Sequence, residues 1–220
     1  MNLKGIVIDL DGTITKFNLD YMSARRRTLE ELDRLGYRTP DMNDQVSLWV
    51  VLNKLRERLK PEEFRKLRAT FYGFFEEMEI NSAHDVTLQP GALGTLRELR
   101  SKSLKLGLVT NNSRSGTDLT LKRLNLKPLF DAVVTRDDCE DMKPAAAPIL
   151  KILAELGVSP EEAILVGDSA IDAMAARAAG VRSAAVATGP FSMGRVLKAE
   201  PDYVLASLND LPSLVEKLRP

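Results

Sequence analysis

Short apolar runs recur along the chain at residues 3–10, 104–110, 132–135, 163–167, 183–187 and 202–205. The first contains Ile6-Val7-Ile8 and stops at a polar, Gly-containing turn, Asp11-Gly12-Thr13. Runs this short, apolar at successive positions and bounded by turn residues, predict strands buried on both faces. Helical spacing fills most of the intervals, and strands alternating with helices predict an α/β fold, a doubly wound parallel sheet of the Rossmann-like kind. Ser159-Pro160-Glu161-Glu162 has the form of a capping box with proline at the first helical position, which predicts a helix start. The Ala-rich segment 172–179 ends at Gly180, the residue type favoured just past a helix, and a strand follows at once.

Residues 16–86 break this alternation. They hold three helical patterns and no convincing strand. Leu48, Leu52, Leu55 and Leu59 make one apolar stripe, and Phe64, Leu67, Phe71, Phe75 and Met78 make another after a start at Pro61. Stripes of this kind need a partner to bury them. The pattern therefore predicts an all-helical cap over 16–86, inserted into a core of 1–15 and 87–220, with 87–91 as the return and two hinge strands joining the domains.

A length of 220 residues suits one buried core with a smaller appendage. Lys plus Arg (31) equals Asp plus Glu (31), so no overall field would hold the protein on nucleic acid or an anionic membrane. No apolar stretch approaches the roughly 18 residues a membrane span needs. Cys139 has no second cysteine to pair with, and no leader pattern opens the chain; a cytoplasmic protein is the expectation. Nothing in the pattern sets an oligomeric state.

Acidic and anion-binding residue types stand at three strand ends. Asp9 and Asp11 close the first run, two positions apart, so in an extended chain both carboxylates point one way. Such a pair needs a metal or a shared proton, Mg²⁺ being the obvious hard cation, unless it is only a solvated acidic turn. Thr110-Asn111-Asn112-Ser113 offers a hydroxyl and backbone N–H groups, suited to phosphate but also to plain helix capping. Lys143, before Pro144 at an expected helix start, could hold an anion. Asp168 closes the run 163–167, and Asp172 falls on the next helix's first turn, where it could simply complement the dipole. In a parallel sheet these strand ends open on one crevice, so Asp9, Asp11, Thr110 and Asp168 are expected to meet there.

In order and content, Asp9-Leu10-Asp11-Gly12-Thr13, Thr110-Asn111, Lys143-Pro144 and Gly167-Asp168-Ser169-Ala170-Ile171-Asp172 resemble the four motifs of the haloacid dehalogenase superfamily. The helical insertion resembles the cap of its phosphoglycolate phosphatases and β-phosphoglucomutases. The resemblance implies a phosphatase in which Asp9 attacks phosphorus and forms an aspartyl-phosphate. Asp11 would protonate the leaving oxygen and then activate water. Mg²⁺ would be held by Asp9, the Asp11 backbone carbonyl and Asp168. Thr110, the Asn111 N–H and Lys143 would hold phosphoryl oxygens, with Asp172 orienting Lys143 or a metal-bound water.

The implied partner is a small phosphorylated metabolite. A mutase-type phosphotransferase shares the motifs, and a phospho-aspartate signalling domain is the rival from another class; its shorter chain and consecutive acids fit poorly. In the cap, Arg25 falls near the centre of an arc drawn by Tyr21, Met22, Leu29, Leu32 and Leu35, with Arg26 at its edge and Arg27 opposite. Arg25 either packs its stem and snorkels, or faces the crevice and grips a second anionic group of the substrate. His84, Cys139 and Trp49 read as hinge, surface or packing residues.

Overall fold

The computed structural model describes residues 2–44, 46–190 and 193–219. Six parallel strands, β1 (Gly5–Ile8), β2 (Lys105–Val109), β3 (Ala132–Val134), β4 (Ala163–Gly167), β5 (Arg182–Val186) and β6 (Tyr203–Leu205), form one sheet in the order β3-β2-β1-β4-β5-β6. Side chains on successive residues take opposite faces. Ile6, Ile8, Leu106, Leu108, Ile164 and Val166 belong to one core, with α4 (Ala92–Ser101), α5 (Arg114–Arg123) and the helix Leu211–Leu218. Val7, Val109 and Leu165 belong to the other, with α6 (Ala147–Leu156) and α7 (Ala170–Ala178). The continuous apolar runs follow from burial on both faces.

From β1 the chain fills β2 and β3 on one side, then crosses to β4, β5 and β6 on the other. The order reverses between β1 and β4, and their carboxyl ends flank the crevice where such sheets bind ligands.

The segment between β1 and α4 folds as α1 (Tyr21–Leu35), α2 (Leu48–Arg58) and α3 (Pro61–Ala83). Both predicted stripes turn inward, with Leu52, Leu55, Leu67 and Phe71 among the residues of a third core. That core also takes Met142 from the loop before α6. The connectors run antiparallel: Lys16 N–H donates to the Thr87 carbonyl and Gln89 N–H to that of Ile14, both at 2.9 Å, around one Thr15–Leu88 bridge.

Some local expectations change. Ser159-Pro160-Glu161-Glu162 does form a capping box, but over one 3₁₀ turn (Pro160–Glu162) and not an α-helix, because β4 begins at Ala163. Pro144 lies in a turn; α6 starts at Ala147. On α1 the buried positions are Ala24, Thr28, Leu29 and Leu32, whereas Met22 (50%) and Leu35 (37%) are exposed. The inward face is thus rotated from the arc drawn on apolar residues alone.

Candidate active site

Asp9 directly follows β1 and extends its ladder, its N–H donating to the Val166 carbonyl at 2.9 Å. One Asp9 oxygen accepts from Lys143 Nζ at 2.6 Å, and the other lies 3.4 Å from the Thr13 hydroxyl. Lys143 Nζ also donates to Asp172 at 2.7 Å and to the Val109 carbonyl at 3.3 Å. Asp168, one residue past β4, is 3.3 Å from Thr13 Oγ1. The turn that brings Thr13 there needs Gly12, with φ +85°, where a Cβ would stand 2.5 Å from an Asp168 oxygen.

Asp11 lies on the bend just beyond Leu10. Its carboxylate accepts from Thr15 Oγ1 at 3.2 Å and from Asn112 Nδ2 at 2.5 Å. Thr110 is buried, and its hydroxyl accepts from the Asn112 N–H at 3.2 Å. The Asn111 side chain turns towards the protein itself, where Nδ2 donates to the Lys143 carbonyl and Oδ1 accepts from the Lys143 N–H, both at 2.9 Å. It fixes the loop that delivers Lys143. Asp172 caps α7 through the Ser169 N–H and hydroxyl, while its other oxygen accepts from Lys143. Asp9, Asp11, Thr110 and Asp168, expected to meet at the strand ends, therefore line one cavity of about 510 Å³ under the helices α1–α3, together with Asn111, Lys143 and Asp172.

The site is short of positive charge. Burial lifts the Asp9 carboxyl to about 7 despite Lys143, with Asp172 and Asp11 adding to the rise. Burial and the neighbouring Asp9 and Asp172 lift Asp168 to about 8. Asp11 rises to about 6, again through burial, held back by its bonds from Asn112 and Thr15. Burial opposes the Lys143 ammonium, yet Asp172 and Asp9 keep its pKa above the ordinary lysine value. Oxygens of Asp9, Asp168 and Asp172 all lie within 4.8 Å of one another, a hard-donor set that fits a divalent cation such as Mg²⁺. The Asp11 carboxylate is not in that cluster.

A family model for haloacid dehalogenase-like hydrolases matches residues 6–186. The chain belongs to this family. Among the relatives of this hydrolase, one named pyrophosphatase PpaX from Halalkalibacterium halodurans is 31% identical over 98% of each chain. Another of that name, from Anoxybacillus flavithermus, is 32% identical, again over 98% of each chain. A solved hydrolase from Pseudomonas syringae shares the fold with a TM-score of 0.71 at 23% identity, covering 99% of this chain and all of that one.

The hydrolase carries one buried constellation that sequence reasoning missed. Glu79, on α3, is 2.7 Å from the Arg136 guanidinium and also accepts from the Ser113 N–H at 2.8 Å. Arg136 donates to the Asn111 carbonyl at 2.8 Å and lies 4.7 Å above the Tyr72 ring. A cap helix is thereby tied to the loop carrying Thr110 and Asn111. The signal was available: Phe71, Phe75 and Glu79 are spaced by four, so a carboxylate occupies a stripe position.

Of the three consecutive arginines on α1, Arg27 pairs with Glu77 at 2.6 Å and stacks on Phe74, and Arg26 is exposed. Arg25 lines the cavity, its guanidinium 5.6 Å from the Tyr21 ring centre. Trp49, expected only to pack, also lines it. His84 is exposed at the end of α3, and Cys139 is a half-buried free thiol.

The raised carboxyl groups set a pH dependence. With divalent metal chelated, the folded chain keeps protons on Asp9, Asp11 and Asp168 that the unfolded chain releases near 3.8, the ordinary aspartate value. Stability is therefore highest at the acid end of that window and falls as pH rises towards about 8. Melts followed by circular dichroism in EDTA should show the midpoint dropping by several degrees between about pH 5 and 8, since 1 kcal/mol is about 2–4 °C at this size. A rising midpoint would contradict this charge balance.

Proposed function

We propose that this chain is a Mg²⁺-dependent phosphomonoester hydrolase that acts on a small phosphorylated metabolite through a phosphorylated Asp9. The observation that carries the reading is the meeting of Asp9, Asp11, Thr110, Lys143 and Asp168 at the carboxyl ends of β1, β2 and β4. Relatives bearing the name pyrophosphatase support phosphorus over carbon as the electrophile. So does the acid at Asp11, which the superfamily's true dehalogenases lack at this position.

Asp9 is the nucleophile: one oxygen is pinned by Lys143 and the other, near Thr13, is left to attack. Its Oδ–P bond forms as the ester P–O bond breaks. Asp11 gives its proton to the departing oxygen, then takes one from the water that attacks phosphorus; that water's oxygen ends on phosphate as the Oδ–P bond breaks and frees the Asp9 carboxylate. A group held near pH 6 can do both. In this reading Thr110 Oγ1 and Lys143 Nζ bind phosphoryl oxygens; the bonds of Lys143 to Asn111 and Asp172 support it by holding Lys143 in position. Asp9, Asp168 and the Asp11 carbonyl would hold Mg²⁺, which when bound would supply the charge neutralisation that lets a carboxylate approach a phosphate dianion.

The deciding experiment is phosphate release from a panel of phosphomonoesters and pyrophosphate, with Mg²⁺ and with EDTA. Release that EDTA abolishes is expected. Transfer of phosphate to a sugar hydroxyl in place of water would reassign the chain to the mutases, and no release from any member would overturn the reading.

A further inference from the structure

The cavity has two unlike halves. Its floor is the charged cluster around Asp9, and much of the remaining lining is apolar, Phe17, Leu48, Trp49, Phe75 and Met142 among it, with Asp20, Asp44 and Arg195 as charged members. Leu48, Phe75 and Met142 are buried already, so this is a packed wall and not a loose surface. Arg25 is set into this wall, and its Nη2 is buried without a hydrogen-bond partner. A buried donor left unmet is costly, and Phe17 and Trp49, only half-buried, have apolar surface that a ligand would cover. Both point to a ligand group that meets them.

Size and polarity restrict that group. At about 510 Å³ the cavity falls in the range of roughly 300–1,000 Å³ that holds drug-sized ligands. Pyrophosphate or a two-carbon phosphoester would occupy the charged floor and leave the aromatic wall facing water. A plain aryl phosphate would cover the wall and leave Arg25 unmet. Resting on the phosphatase reading above, we propose that the substrate is a phosphomonoester whose leaving group is a flat, ring-sized apolar body bearing a second oxyanion. The phosphoryl group sits on the floor, the ring packs against Trp49 and Phe17, and the oxyanion is gripped by Arg25. Arg25 and Trp49 are specificity residues that act on the leaving group and not on phosphorus.

The test compares kcat/KM, with Mg²⁺, for phosphoglycolate, pyrophosphate, phenyl phosphate and 4-carboxyphenyl phosphate, in the natural protein and in Arg25→Gln and Trp49→Ala. Ratios between substrates are read, so a partly folded variant does not distort them. The carboxylated aryl ester should exceed phenyl phosphate and phosphoglycolate by roughly 10–100-fold each, the scale of one charge-assisted bond or one buried ring. Arg25→Gln should bring the first ratio close to one, and Trp49→Ala should lower the second. Pyrophosphate or phosphoglycolate as the best substrate, or equal losses on both aryl esters in Arg25→Gln, would overturn the assignment while leaving the hydrolase intact. No phosphate from any of the four overturns the hydrolase reading, and this inference falls with it.

Discussion

Replacing Asp9 with asparagine is expected to remove turnover, by at least roughly 10³-fold, while leaving the fold and its melting midpoint in place. The two halves of this expectation have separate causes. Activity goes because an amide oxygen cannot form the acyl phosphate. Stability stays because the Asp9 charge is not what holds the site together: with its carboxyl pushed up to about 7, the ionised form is disfavoured by the fold above that pH. Asparagine keeps an oxygen for Lys143, whose other carboxylate partner, Asp172, is untouched. At pH 8 in EDTA the variant should melt no lower than the natural protein. Phosphate release and a parallel melt check both halves; a loss of only a few-fold would sink the covalent mechanism, and a collapse of the melt would show that Asp9 is structural.

The strands and the aspartates at their ends were legible for the same reason. A strand buried on both faces has no room for a polar residue, so its end is announced by the first carboxylate, as at Asp9 and Asp168. Parallel topology then does the gathering. What local pattern could not supply was the duty of each side chain once gathered. Asn111 stood in an anion-binding loop by sequence, yet its side chain braces the backbone of Lys143, 32 positions away. Asp172 caps α7 and accepts from Lys143 at once, because a carboxylate has two oxygens. On α1, apolar residues alone misplaced the inward face, since Ala24 and Thr28 are the small residues that allow close approach while Met22 is left outside. Glu79 was hidden by the habit of reading a stripe for its hydrophobes.

That residue carries the second large effect. Glu79 and Arg136 are each almost completely enclosed, with 2% of either side chain exposed. Two such charges are tolerable only together, and the pair is supported by the Ser113 N–H on one side and the Asn111 and Tyr72 carbonyls on the other. Glu79→Leu strands a guanidinium that cannot shed its proton. Breaking a buried pair from one side costs about 3–5 kcal/mol, which at about 2–4 °C per kcal/mol lowers the midpoint by roughly 10 °C. The double replacement Glu79→Leu with Arg136→Met removes both charges and should recover most of that loss, since apolar residues of similar volume often replace a buried pair without penalty. It should not recover activity to the same degree. The Ser113 N–H and the Asn111 carbonyl lose the partners that tie the Thr110 loop to α3, and Asn111 is what holds Lys143 against Asp9. Stability restored with kcat still depressed is the expected signature of a pair that positions the Thr110 loop. A double variant that regains both together would reduce the pair to ordinary packing, and a single variant that melts like the natural protein would show that the pair holds nothing in place.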